Sequence, residues 1–276
     1  MRLEPLAAHN RSAVRAFLDG RPYETVFIAW LISIGAFDRG GAERCIVARD
    51  LGGGIGGVFY DGPSIVLASH DSSAIDAFAA IESGPLFGRT VVGPNASVAR
   101  YWSRVRRRRT TSPTQHLHQP LYAVDSTNLQ SVDVGVGIER AGLDELDEIA
   151  REAAEMISLE LGYDPPLRGA DVRERVRRQI ELGWWWRSRG PDGELRFQCH
   201  IGAVSERTAQ LQGVWTPPGK RGRRYATRAL AAICARLLID HPTLSLYVND
   251  FNLPAIALYE RIGFRRVGEL ATILFR

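Results

Sequence analysis

Cysteine is scarce in this chain. Cys45, Cys199 and Cys234 are its only three, far apart and in no Cys-x-x-Cys pair. That excludes a zinc ribbon and a thiol redox motif, and an odd, sparse count suits a reducing cytoplasm better than a disulfide framework. Long apolar runs are missing as well. The stretch Val26–Phe37 is too short to span a bilayer and reads as a buried helix. The opening MRLEPLAAHNRSAV has no apolar signal core. A cytoplasmic location without a membrane partner is therefore expected. Neither sign of charge dominates: 35 Lys and Arg stand against 31 Asp and Glu, for a net charge of +4. A mildly basic balance fits an anionic ligand and does not demand nucleic acid. His116 and His118 have metal-ligand chemistry but no third ligand at a useful spacing, so no metal is expected.

What is present is enough for two ordinary domains: 276 residues, 45% apolar and 24% charged. Helical periodicity marks Asn10–Asp19 and Glu24–Ile34, with Pro22 as a starter. Cys45–Ala48, Gly56–Tyr60 and Ser64–Ala68 read as a meander punctuated by Gly52–Gly54 and Asp61–Gly62. A helix over Ser72–Ser83, a strand at Thr90–Val92, a helix over Ser97–Val105 and a strand at Leu117–Val124 close the first domain, 1–125. The polar, turn-rich segment Asp125–Ser131 is the expected boundary. The second domain, 132–276, reads as a strand (Val132–Glu139), two helices (Leu143–Leu161, Asp171–Leu182) and three strands (Trp184–Arg187, Arg196–Ser205, Gln210–Trp215). A helix (Tyr225–Ile239), a strand (Leu244–Val248), a helix (Pro254–Ile262) and a strand (Val267–Phe275) follow. Both domains are expected to be α/β, with two helices ahead of a meander in each.

The stretch that carries chemistry runs from Gln212 to Leu230. An apolar strand ends at Thr216, and a Pro/Gly/Arg-rich loop then opens directly into a helix. Free backbone N–H groups and the helix dipole at such a joint make an anion site, small residues let backbone approach a pyrophosphate, and Arg221, Arg223 and Arg224 add charge. A basic solvated loop capping a helix is the competing reading.

The loop, Arg221-Gly-Arg-Arg224-Tyr-Ala226, resembles the acetyl-CoA motif Arg/Gln-x-x-Gly-x-Gly/Ala of the GNAT acetyltransferases. The segment Tyr247-Val-Asn249-Asp-Phe-Asn252-Leu-Pro-Ala255-Ile-Ala-Leu-Tyr259-Glu-Arg-Ile-Gly263-Phe264 resembles the second cofactor segment of the same superfamily. The whole chain is similar to bacterial two-domain proteins of that type, in which a GNAT-like first domain precedes an active-looking second one. Leu161–Pro165 and Gly202–Ser205 support this more loosely.

The resemblance implies a mixed, mostly antiparallel sheet flanked by helices in the second domain and a degenerate relative of that fold in the first. It implies an acetyl-CoA-dependent N-acetyltransferase acting on an unidentified primary amine. Val214, Trp215 and Thr216 would face the pantetheine, and Arg221, Gly222, Arg223, Arg224, Tyr225, Ala226 and Thr227 the pyrophosphate. Asn249, Asn252 and Ala255 would hold the cofactor from the second segment, and Tyr259 would both line that site and protonate the departing thiolate. His200 is the candidate general base; a strand-filling histidine, or water as base, are the alternatives.

The chain departs from the motif at Arg224, where the family carries glycine. Its side chain either contacts a phosphate or weakens binding. A catalytically impaired CoA-binding or scaffolding protein is the second reading. A nucleic-acid binder acting through Arg104 and Arg106–Arg109 is the third and is not expected, because a solvated turn explains that run.

Overall fold

The structure, a computed structural model, describes residues 1–38, 41–82, 84–106, 113–131, 137–161 and 169–275. The expectations for Leu161–Pro165, for most of Val132–Glu139 and for Arg107–Arg109 fall outside them. Two compact units emerge. The first is Met1–Tyr122 with Tyr247–Leu253 and Arg266–Arg276; the second is Ala123–Leu246 with Pro254–Arg265. The expected single cut at 125–131 and these units differ over the two late segments, which cluster with the first unit.

The first unit begins with β1 (Arg2–Pro5), α1 (Arg11–Asp19) and α2 (Pro22–Ser33), then β2 (Cys45–Arg49), β3 (Ile55–Asp61) and β4 (Ser64–Ala68). It continues with α3 (Ser72–Ile81), β5 (Thr90–Pro94), α4 (Asn95–Val105) and β6 (Thr114–Asp125), and it takes in most of β12 (Arg265–Leu274). Its strand order is β1-β2-β3-β4-β5-β12-β6. The pairs are antiparallel from β1 to β4, β4 and β5 are parallel, and β5 and β12 antiparallel.

Period-two alternation divides this sheet into two buried faces. Val47, Val58 and Val66 pack with Val14, Leu18, Ile28 and Ile32 of α1 and α2. Their strand neighbours Ala48, Phe59 and Leu67 pack with Ile75, Phe78, Val98 and Tyr101 of α3 and α4, together with Ala271 and Ile273 of β12. Strand β1 was not anticipated. It is four residues long and charged, and it is held by its ladder to β2 and by Arg49 Nε donating to Glu4 at 2.7 Å.

The second unit has β7 (Ile138–Arg140), a 3-10 turn at Leu143–Glu145, α5 (Leu146–Leu161) and α6 (Gly169–Glu181), then β8 (Trp185–Arg189), β9 (Leu195–Val204) and β10 (Ala209–Trp215). After them come α7 (Tyr225–Leu237), β11 (Thr243–Tyr247) and α8 (Leu253–Arg261). Strand order is β11-β10-β9-β8-β7, antiparallel except for β10 with β11. Helices α5 and α6 pack Ile149, Ala153, Val176 and Ile180 on Trp185 and Leu195. Each unit is thus α/β with a mixed, mostly antiparallel sheet, and each holds a strand–helix–parallel strand crossover: β4–α3–β5 and β10–α7–β11.

The turn after α8 depends on Gly263. Its φ of 103° is left-handed, and a Cβ there would be driven into the Asn128 carbonyl oxygen. The neighbouring Ile262 carbonyl accepts from Gln130 N–H at 3.0 Å, so this segment cannot move aside cheaply. Gly263→Ala is expected to lower stability by roughly 1–2 kcal/mol or more, from the left-handed backbone and the clash together. A shift of the urea midpoint to lower concentration, at unchanged m, checks this.

Candidate functional site

Strand β10 is irregular where the site forms. Its parallel ladder to β11 consists of Ala209 with Leu244 and Gln210 with Ser245, and goes no further while β10 runs on to Trp215. Against β9 its register slips between Gln212 and Trp215, so that three steps on β10 match two on β9. Gly213 makes this bulge possible: its φ is 63°, and a Cβ there would lie 2.7 Å from Cδ2 of His200. Gly213 and Val214 are thereby taken out of one-to-one pairing, and Trp215 rejoins β9 opposite Gln198 with no β11 partner on its other side.

The loop that follows holds a 3-10 turn at Pro218–Lys220 and leads into α7 through Arg224. Arg224 has φ 60° and ψ 18°, the only left-handed backbone at a non-glycine among the described residues. This is the position where the family's glycine was expected, and its conformation is the one glycine adopts without cost. No side chain caps α7, and its first intrahelical bond is Arg228 N–H to the Arg224 carbonyl. The N–H groups of Tyr225, Ala226 and Thr227 precede that bond, so they are the orphan donors of the helix start. Arg221, Arg223 and Arg224 are exposed around them. Arg221 lies over the Trp215 ring at 4.6 Å, with its Nε donating to the Thr216 carbonyl at 3.1 Å.

The crossover of the first unit is built differently. Strand β4 pairs with β3 without a register shift. The Asp71 carboxylate caps α3, accepting from Ser73 N–H at 2.7 Å and Ala74 N–H at 3.2 Å. An anionic side chain already occupies that helix start.

His200 lies on β9 opposite Gln212, stacked on Trp185 with centroids 4.4 Å apart, and is 8% exposed. Burial pushes its pKa down to about 4, against a smaller upward effect of the Ile201 carbonyl. Its Nδ1 lies 3.1 Å from both the Ile201 carbonyl and Gln179 Nε2. The ring is therefore neutral at ordinary pH, seated between two strands and α6.

Tyr259 on α8 is 5% exposed and 6.0 Å from the Phe264 ring. Burial first, and then the negative charge of Glu160, raise its phenol well above the ordinary value. It remains a proton carrier throughout the physiological range. Ala255 stands in the first turn of the same helix.

Asn249 and Asn252 belong to the first unit. Asn249 Oδ1 accepts from Gln119 Nε2 at 2.9 Å, and Gln119 Oε1 accepts from Thr272 at 2.6 Å. The Gln119 side chain thus links three chain segments of that unit, Asn249 among them. Arg104, from the arginine run, is bound to Asp76 together with Arg100. Among the described residues no three His, Cys, Asp or Glu side chains stand together as a metal site, and no helix is long and apolar enough to cross a membrane.

Two side chains of the second unit went unnoticed in the sequence. Glu152 on α5 accepts from Trp215 Nε1 at 2.8 Å. Gln198 on β9 is wholly buried opposite Trp215. Glu152 is one acid among several on an amphipathic helix and carries no signal. Gln198 does carry one: a neutral amide in the middle of the largely apolar strand LRFQCHIGAV.

Residues 182–264 match the family described as Acetyltransferase (GNAT) family. Mycothiol acetyltransferase of Brachybacterium faecium is 29% identical over 148 residues, 48% of this chain and 43% of that protein. The chain thus spans less than half the length of that relative. Among solved structures, a Drosophila protein superposes with a TM-score of 0.71 at 13% identity, over 99% of this chain and 98% of its own. A tandem GNAT protein from the clavulanic acid biosynthesis pathway superposes with a TM-score of 0.52 at 14% identity, over 99% and 98%. At these identities the likeness is one of fold, and it extends over both units.

Two outcomes follow from this geometry. His200 has a lower pKa folded (about 4) than the ordinary 6.5 of an imidazole, so the unfolded chain takes up the proton first as pH falls. Its contribution to stability is therefore intact above pH 6.5 and is lost towards pH 4, at up to about 1.4 kcal/mol per pH unit. His241 is shifted the same way by burial, so it acts in the same direction. In urea titrations between pH 7 and 5.5, above the carboxylate range, His200→Gln is expected to flatten the decline. Arg224→Gly is expected to raise stability by about 1 kcal/mol through relief of the left-handed backbone, measured by thermal unfolding without ligand. It is also expected to weaken acetyl-CoA binding in a salt-dependent way, because a guanidinium leaves the anion site. Calorimetry at two ionic strengths reads the second effect.

Proposed function

Through its residues 182–264 the chain belongs to the acetyltransferase (GNAT) family, and from that premise we propose that it transfers an acetyl group from acetyl-CoA to a primary amine, using one cofactor site per chain, in the second unit. The observation that carries the proposal is the uncapped start of α7 behind a bulged β10, in contrast to the carboxylate-capped start of α3 in the first unit. The first arrangement accepts a pyrophosphate; the second already holds an anion.

The residues present fit the cofactor. Tyr225, Ala226 and Thr227 offer backbone N–H groups, Arg221, Arg223 and Arg224 offer charge, and Gly222 brings no side chain into the approach. Val214, Trp215 and Thr216 offer the backbone of a strand whose parallel ladder has ended. Bound acetyl-CoA supplies a thioester whose carbonyl carbon the amine attacks as the carbon–sulfur bond breaks. Backbone donors along the bulge stabilise charge on the carbonyl oxygen. Tyr259, held protonated by its surroundings, gives its proton to the departing sulfur. Ala255, at the start of α8, leaves room for the cofactor beside it.

His200 enters this proposal in a changed role. A ring with a pKa of about 4 is a weak base toward an ammonium group. Its place against Gly213 suits it to propping the bulge. The ammonium proton passes to water before attack, the nitrogen releases its second proton to water as the amide forms, and Tyr259 regains from solvent the proton it gave to sulfur.

Calorimetry on the full chain is expected to give one acetyl-CoA per chain, and a thiol-release screen over an amine panel to find an acceptor. Tyr259→Phe is expected to lower turnover by about 10²–10⁴-fold with cofactor affinity nearly unchanged. No heat and no thermal shift at millimolar acetyl-CoA would sink the proposal. Binding without turnover on any amine would leave the chain a CoA-binding module.

A further inference from the structure

The sheet face beneath α5 and α6 carries polar groups that the cofactor reading does not use. Gln198 is 0% exposed, and neither its Nε2 nor its Oε1 has a hydrogen-bond partner among the described residues. Thr216 Oγ1, Trp185 Nε1 and Gln179 Oε1 are buried in the same condition. Folding rarely leaves both ends of a buried amide unmade, because each loses its water without compensation. The four side chains come from β8, β9, the residue just after β10 and α6, and Gln198 stands directly across from Trp215.

Beside them lies a carboxylate held in an uncommon way. Glu145 and Glu148, at the start of α5, are neutralised by Arg187 and Arg189 of β8. Glu152, one and two turns further on, forms no salt bridge among the described residues. Its Oε2 accepts the indole N–H of Trp215 at 2.8 Å, and Trp215 is covered by Arg221. A neutral donor fixes the position of that carboxylate and leaves its charge unspent. The anchor, Trp215, belongs to the strand segment assigned to the pantetheine.

Together these groups describe a ligand. A half-buried carboxylate takes a cation, and an amide with both ends open pairs with a group that both donates and accepts. Resting on the acyl-transfer reading, we propose that Glu152 and Gln198 form the acceptor subsite. It fits a primary amine whose neighbouring substituent is a neutral amide or hydroxyl. Glu152 holds the ammonium group, and Gln198 pairs with the neutral substituent. A free α-amino acid is disfavoured, since its own carboxylate is brought against Glu152. A plain alkylamine satisfies Glu152 and leaves Gln198 unpaired.

The test uses the full chain and four probes: L-alaninamide, ethanolamine, L-alanine and propylamine. Calorimetry on protein saturated with CoA and steady-state acetylation are read side by side. Alaninamide and ethanolamine are expected to bind more tightly, and with lower KM, than propylamine, and alanine is expected to be poorest. Glu152→Gln keeps an acceptor for the Trp215 indole and removes the charge. It is expected to raise the KM for alaninamide about tenfold, the cost of one charged hydrogen bond, with acetyl-CoA affinity and melting temperature unchanged. Gln198→Leu is expected to erase the preference for alaninamide over propylamine.

Three results overturn the proposal: alanine or propylamine preferred by the wild-type chain, an unchanged alaninamide KM in Glu152→Gln, or an intact preference in Gln198→Leu with a raised melting temperature. The last is the signature of an amide satisfied by internal water. Failure of the underlying function is separate and visible first, as absence of acetyl-CoA binding in the wild-type protein.

Discussion

A β-strand with a neighbour on each side has no backbone left to offer. In the second unit β10 escapes that condition over a few residues. Its bonds to β11 end at Gln210, and the extra residue around Gly213 breaks its register with β9. The other features of the site follow from this one irregularity. The bulge needs a left-handed glycine, the glycine leaves a space, and the His200 ring fills it. The ring is buried in doing so, and burial sets its charge state. The chain leaves the sheet pointing towards a helix start, and nothing in the sequence after Thr216 caps that helix. In the proposed function, the strand that meets the thioester and the helix start that meets the pyrophosphate are thus the two ends of one deviation from regular pairing.

The two crossovers show how little separates a ligand site from a structural joint. Both run strand, helix, parallel strand. In the first unit an aspartate stands at the helix start and its carboxylate takes two N–H groups. In the second an arginine stands there in a strained backbone, with no side chain bonding back. The first choice stabilises the fold locally. The second leaves donors open and places positive charge beside them, which serves an incoming anion.

Much of this was legible in the amino-acid order. The strands Cys45–Arg49, Ile55–Asp61 and Ser64–Ala68 were marked by alternation and by glycine and aspartate at the turns, and α7 by its apolar stripe behind a Pro/Gly/Arg loop. Strand β1 was hidden, because its four residues are held by one ladder and one ion pair instead of by apolar burial. The adherence of β12 to the first unit was hidden too, since alternation reveals a strand and never its partner. At the site, the loop cations and Tyr259 are readable from the family's motifs. The basicity of His200 is not: it depends on Trp185, Gly213 and α6 closing over the ring, and no local pattern encodes that. Glu152 is visible only once Trp215 is seen to reach it.

Strand β12 has a bearing on how the chain is made. It lies between β5 and β6, which end well over a hundred residues ahead of it in the chain, at Pro94 and Asp125 against a start at Arg265, as with Leu270 against Pro94 and Ile273 against Val91. During synthesis the first unit emerges early but lacks the strand that fills the middle of its sheet. Until residues 265–274 leave the ribosome, the inner edges of β5 and β6 have open backbone groups and the apolar faces meant for Ala271 and Ile273 are bare. The N-terminal part of the chain must therefore wait until residues 265–274 have been made, with a sticky gap in its sheet. Such a long sequence separation slows closure, and an unpaired strand edge left open in the meantime is exposed to wrong partners.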